Sequence, residues 1–162
     1  MAWKNPSLSK ILFVLIVSTS NKVNGRCQKE GACPADWSKW GNNCYHFVEN
    51  GLYWAQAQQH CVDIGGVLTA PHSREEEDYL LAWTNAGQLW INCNDISSEG
   101  TWECKEGTTT VDYRRWGSLP DNNDGGDGED CAGMLSQGWN DISCTRWQEK
   151  FVCKQPIPIV WV

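Results

Sequence analysis

Residues 119–130 read LPDNNDGGDGED, and the tripeptide Trp139-Asn140-Asp141 follows shortly after. Between residues 117 and 145 stand six acidic side chains, Asp121, Asp124, Asp127, Glu129, Asp130 and Asp141, with no Lys or Arg among them. The stretch has no cation of its own, so a bound ion is the natural counter-charge. Calcium takes about six to eight oxygen ligands from carboxylates, amides, backbone carbonyls and water. This segment offers those oxygens without the thiols and imidazoles that softer metals prefer. Two readings are open on the stretch alone, a calcium cradle and a solvated acidic loop. A long irregular segment inside a compact domain is a functional loop or a disordered one, and the rest of the chain has to decide.

The chain's 162 residues allow one domain with short extensions. Residues 1–25 read as a secretory signal: Lys4 and Lys10 flank the start, residues 11–17 (ILFVLIV) form an apolar run, and Val23-Asn24-Gly25 ends on a plausible cleavage position. That run is much shorter than the roughly 20 residues that span a bilayer, so no membrane span is expected. Residues 1–25 hold three of the 13 basic residues and none of the 20 acidic ones, which leaves a net charge of −10 on the mature chain. Such a chain is not a nucleic-acid binder. Nine cysteines point to a disulfide framework in an oxidising, extracellular setting. They form no CxxC pair, and His46, His60 and His72 are scattered, so zinc has little support.

Residues 26–32 form a polar lead with Cys27. Residues 36–49 mix aromatics with the turn Gly41-Asn42-Asn43 and read as a pair of short strands. Residues 50–64 are a helix candidate, with Trp54, Ala57, Gln58 and Cys61 on one face and Gly65-Gly66 as the stop. A second helix starts at Ser73, where Ser73 and Glu76 have capping-box spacing and Tyr79, Leu80 and Trp83 supply the apolar stripe. From Gln88 onward the sequence offers short strands, QLWINC, TWEC, TTTVDYRRW, CAGML and KFVCK. Helices followed by strands imply an α+β domain. The tail, residues 154–162, is apolar and proline-interrupted and is expected to pack on the domain or on a second chain. Trp54, Trp83, Trp90, Trp102, Trp116 and Trp139 are assigned to the core.

Taken in order, CPADWSKWGNNCY, WAQAQQHC, GGVLT, WINCNDISSEGTW, PDNN with GEDCA, WNDISC and FVCK resemble the C-type lectin-like domain over residues 33–153. The resemblance implies an α+β C-type lectin-like fold: two helices, short antiparallel sheets and a long calcium-binding loop, stapled by disulfides. It implies the pairs Cys33 with Cys44, Cys61 with Cys153 and Cys131 with Cys144. Cys93 and Cys104 lie outside the family's common set and flank a hairpin, which makes them a fourth bridge. Cys27 remains for a free thiol or an interchain link, and a disulfide-linked homodimer is favoured.

The family's sugar-binding calcium maps onto Asp121, Glu129, Asn140 and Asp141, with Pro120 as the cis proline. Leu119 departs from the pattern, because sugar-binding members carry Glu or Gln there. An auxiliary calcium maps onto Asp95, Glu99, Asn122, Glu129 and Asp130, with Glu129 shared. An EF-hand is excluded, since its fifth and twelfth positions counted from Asp121 would be Gly125 and Ala132. The implied function is a secreted, calcium-dependent lectin in which sugar hydroxyls coordinate a loop-bound Ca2+, recognising galactose-type or mannose-type glycans of microbial or cell surfaces. Asp121 leans toward galactose, and Leu119 weakens that lean. The alternative is a C-type lectin-like module for a protein, lipid or mineral ligand without sugar recognition. No nucleophile elbow, zinc signature or phosphate loop points to an enzyme.

Overall fold

The computed structural model describes residues 22–23, 26–118 and 128–162. In chain order the elements are β1 (Lys22–Val23), β2 (Arg26–Glu30), β3 (Ser38–Trp40), β4 (Asn43–Leu52), α1 (Trp54–Asp63), β5 (Val67–Leu68), α2 (Arg74–Thr84), β6 (Leu89–Asn94), β7 (Glu103–Glu106), β8 (Thr109–Thr110), β9 (Cys131–Leu135), β10 (Gly138–Ile142), β11 (Glu149–Pro156) and β12 (Ile159–Trp161). Two compact units result. Gly31–Pro158 is the main one, and the other contains β1, β2 and β12.

In the main unit the hydrogen-bonded order is β10-β9-β6-β11-β4-β3, with β5 on β11 and β7 on β6 at the side. Strand β11 is the spine: it runs antiparallel to β4 from Pro156↔Asn43 to Glu149↔Leu52 and parallel to β6 at Phe151↔Trp90. Its Phe151, Val152 and Cys153 are all buried, as expected of a strand covered on both faces. The first helix begins later than its periodicity implies. Residues 50–52 close β4 instead, because the cross-strand pairing of Leu52 with Glu149 outweighs weak local helix preference. Trp54, Ala57 and Cys61 then face the core, and Gly65, at φ 85°, ends the helix in a conformation that disfavours other residues.

Helix α2 starts at its expected cap, with the Ser73 hydroxyl accepting from the Glu76 amide at 3.3 Å. The reciprocal half of the box is displaced: Glu76 Oε2 accepts from the His72 amide at 2.9 Å. Its Oε1 takes the Tyr45 hydroxyl at 2.7 Å and Lys154 Nζ at 2.9 Å. Leu80 is buried and Tyr79 and Trp83 pack against the core, but Glu76 and Glu77 are buried with them. Of the expected strand in TTTVDYRRW, only Thr109–Thr110 is a strand, with Trp116 bridging singly to Trp139. Side-chain anchoring of this segment replaces ladder pairing, as described below. Strand β10 was not among the sequence-read strands.

Four disulfides, Cys33–Cys44, Cys61–Cys153, Cys93–Cys104 and Cys131–Cys144, staple the unit. Cys61–Cys153 spans 92 residues and the others 11 to 13. In the chain-entropy account the long loop contributes about 4.5 kcal/mol and each short one about 3 kcal/mol. The tail divides: Ile157 is buried in the main unit, while β12 pairs with β2 in the small sheet, Trp161 opposite Gln28. Strand β1 falls inside the stretch read as a signal, whose remaining residues lie outside the described ones.

Lys154, a buried cation, lies between Glu76 and Glu106, with Nζ 2.9 Å from each. Burial pushes the Glu76 carboxyl up, but hydrogen bonds and charge from Lys154 and the His72 amide outweigh it, so the net direction is down. A carboxyl held low in the folded state contributes stability that is complete above its unfolded value, about 4.3, and is lost as pH falls below it toward the folded value. Replacing Lys154 with Met strands the buried Glu76 carboxylate and should cost about 3–5 kcal/mol in chemical denaturation. Glu76→Gln should flatten the acid limb of stability against pH, and an unchanged limb would refute this role for the pair.

Candidate functional site

Strand β6 leaves the sheet at Asn94, paired with Cys131 at the start of β9. Asp95 therefore comes off the sheet beside Asp130, whose carbonyl accepts its amide at 3.1 Å. The Cys93–Cys104 bridge lies in register across β6 and β7, closing the turn that carries Asp95 and Glu99. Within that turn the Asp95 carbonyl accepts from Ser98 at 2.9 Å, and Asp95 Oδ2 accepts from the Gly100 amide at 2.8 Å. The turn thus aims its acidic side chains back toward Asp130. One carboxylate oxygen from each of Asp95, Glu99 and Asp130 lies within 4.8 Å of the others.

Asp95 is 2 % exposed, and its Oδ1 has no hydrogen-bond partner among the described residues. Burying an unsatisfied carboxylate oxygen beside two like charges is costly unless a cation completes it. All three donors are hard oxygens, the set that suits calcium. The residues therefore fit the ion that their pattern implies. Glu129 stands outside this trio, on the exposed edge, where it lines a cavity of about 350 Å³ with Gln88, Ile142, Trp147 and Glu149. Leu119, Pro120, Asp121 and Asn122 lie outside the described residues.

Asn140 and Asp141 sit on β10, paired with Gly133 and Ala132. Asp141 is buried, and the Asn140 amide donates to the Asp141 carbonyl at 2.9 Å. A residue that sequence reasoning passed over places this strand. Glu77, fully buried on α2, accepts Trp139 Nε1 at 3.2 Å, the Tyr113 hydroxyl at 2.8 Å and Arg115 Nε at 2.7 Å. Burial and the neighbouring carboxylate push the Tyr113 hydroxyl up to about 12, so it stays a donor. Arg115 also caps the carbonyls of Leu135 and Ser136, each at 3.1 Å, at the β9–β10 turn. The backbones of Gly117 and Gly138 meet so closely that a Cβ on Gly138 would lie 2.5 Å from Gly117. The signal for Glu77 was its place on the apolar face of α2, three residues before Leu80. Trp54, Trp90 and Trp139 are buried, and Trp83, Trp102 and Trp116 pack partly buried against the core.

The sequence profile of the Lectin C-type domain matches residues 50–155. The chain belongs to the C-type lectin domain family. Within that family it is 36% identical over 149 residues to the mouse low affinity immunoglobulin epsilon Fc receptor, covering 91% of this chain and 42% of the receptor. The chain thus spans about two-fifths of that curated relative's length. Among solved structures, the cow C-type carbohydrate-recognition domain of CD23, crystallised in the presence of a GlcNAc2Man3 oligosaccharide, superposes with TM-score 0.70 at 33% identity, over 78% of this chain and 98% of that one. A calcium-independent type II antifreeze protein superposes with TM-score 0.67 at 29% identity, over 78% and 96%. The C-type lectin fold of this chain is therefore shared by a carbohydrate-recognition domain and by a calcium-independent antifreeze protein. No helix among the described residues is long and apolar enough to cross a membrane.

The carboxylate trio yields a direct expectation. Asp95→Asn removes one of three crowded charges, so the metal-free protein should unfold at the same temperature or higher, while the stabilisation on adding calcium should need at least about tenfold more ion. Thermal unfolding across a calcium titration reads both. Calcium stabilisation that is identical in the variant and the wild type would remove Asp95 from the ligand set.

Proposed function

We propose that this chain is a secreted, calcium-dependent lectin and not an enzyme. The observation that carries the reading is the buried Asp95, whose Oδ1 lacks a partner among the described residues and whose carboxylate groups with those of Glu99 and Asp130. The auxiliary ion is assigned to these three with Asn122 and Glu129, and the sugar-facing ion to Asp121, Glu129, Asn140 and Asp141. Bound there, calcium supplies coordination positions for two neighbouring hydroxyls of a pyranose. The chain's own part is to hold the carboxylates and the Asn140 amide where they receive and donate the hydrogen bonds of those hydroxyls. The Glu77–Trp139 bond keeps Asn140 and Asp141 in register for that task. The carboxylate ligands must be ionised, so sugar binding weakens on acidification as well as on chelation.

The likeness to a carbohydrate-recognition domain solved with an oligosaccharide supports this reading. A second reading has two observations in its favour. Leu119 offers no side-chain oxygen where the family's sugar binders have one, and an antifreeze protein that is calcium-independent shares the fold. In that case the module takes a protein, lipid or mineral ligand.

A glycan array read with calcium and with EDTA separates the two: calcium-dependent retention of galactose-type or mannose-type glycans is expected, and none in either condition refutes the lectin. Leu119→Gln should then strengthen retention. Cys27 is free and half-buried in the small sheet, and we assign it to an interchain disulfide in a homodimer. Non-reducing electrophoresis should show a dimer that Cys27→Ser abolishes, and a monomer in both would overturn the link.

A further inference from the structure

The small sheet has the order β1-β2-β12, so β2 lies in the middle of it. Its edge strand β1 belongs to residues 1–25, the stretch read as a secretory signal. Cleavage after Gly25 takes β1 away and opens one edge of β2. An open edge presents unpaired N–H and C=O groups that pair readily with another strand.

The register decides what that edge can hold. The Cys27 amide donates to the Val162 carbonyl at 2.9 Å, and the Val162 amide donates to the Cys27 carbonyl at 3.0 Å. Both backbone groups of Cys27 therefore point toward the tail, and those of Arg26 and Gln28 point to the opposite edge. On that edge Cys27 stands directly opposite Lys22. The position is thus a non-hydrogen-bonded one, where facing Cα atoms lie about 4.5 Å apart. A disulfide spans Cα separations of roughly 4.4–6.8 Å. In the main unit, Cys93 and Cys104 are bridged in this way, directly paired on adjacent antiparallel strands with Cα atoms 4.0 Å apart. Pairing of two copies through β12 would instead set their Cys27 residues three strand spacings apart, about 14 Å, beyond reach. Exposed valines share the face of Cys27, since Val162 pairs with Cys27 and Val160 with Lys29.

We propose that leader removal uncovers the β2 edge and that a second copy of this chain takes the place of β1, antiparallel about a two-fold axis at Cys27. The inference rests on the interchain link assigned to Cys27 above, and it gives that link a surface, a register and a trigger. Gln28 exchanges backbone hydrogen bonds with Arg26 of the partner subunit, and the two-fold repeats the exchange. Cys27 meets Cys27 of the partner subunit, flanked on each side by Val162 in one apolar row. The two thiols form one S–S bond, and their two electrons and two protons pass to a small-molecule disulfide such as oxidised glutathione, which leaves as two thiols. While β1 is present, Lys22 holds the place opposite Cys27, and the chain stays monomeric.

The test uses two secreted forms, residues 26–162 and residues 22–162, in an oxidised glutathione buffer. Non-reducing electrophoresis should show a disulfide-linked dimer for the first and a monomer for the second. On the shorter form with Cys27→Ser, Arg26→Cys and Gln28→Cys should cross-link when mixed, and neither should cross-link with itself. Thermal unfolding alike in all forms checks that they are folded. Equal dimer from both lengths, or a mixed pair that cross-links no better than either variant alone, overturns the strand pairing and leaves the Cys27 link standing. Monomer from both lengths overturns the pairing and the link together.

Discussion

A fully buried carboxylate, Glu77, holds together the parts of this protein that surround its site. Three donors converge on it from separate stretches: the Tyr113 hydroxyl, the Arg115 guanidinium and the Trp139 indole. A buried charge persists only where such partners satisfy it, so the helix, the irregular segment before Gly117 and strand β10 are mutually dependent. Arg115 extends the arrangement to the turn between β9 and β10, and the close approach of Gly117 to Gly138 completes it. The entrance to residues 119–127 and the strand bearing Asn140 and Asp141 thus share one anchor.

The opposite side of the site is governed by strand pairing and by disulfides. Cys93 stands two residues before Asp95 and Cys131 directly after Asp130, and both are strand residues held by disulfides. The sheet thereby forces Asp95 and Asp130 together despite their like charge, and the turn through Gly100 brings Glu99 to them. Such crowding is a stored cost in the metal-free protein and a ready-made cradle for a hard cation. The buried pair of Glu76 and Lys154 lies away from this, and there the chain supplies its own counter-charge.

Much of the fold was legible because its signals are local. The cap at Ser73, the glycine stop at Gly65 and the short apolar runs around Trp90 and Phe151 each depend on neighbours a few residues away. The start of α1 was misplaced because Asn50 to Leu52 are claimed by a partner strand almost a hundred residues later. The strand read into TTTVDYRRW is mostly absent because Tyr113 and Arg115 are fixed by Glu77, a contact that no period in the sequence records. The three acidic residues of the cradle were placed by resemblance, and the oxygen left over on Asp95 became visible only with its neighbours in place.

By itself the sequence determined the class of the domain, the oxygen-rich chemistry of residues 119–130 and the absence of a nucleic-acid or zinc pattern, since these follow from residue types and short spacings. Only the tertiary structure decided which carboxylates meet one another, that Glu77 rather than a surface residue supports Trp139, and that Trp147 faces solvent while Trp54, Trp90 and Trp139 are buried. Those outcomes depend on pairing between distant strands, which fixes the face on which each side chain emerges.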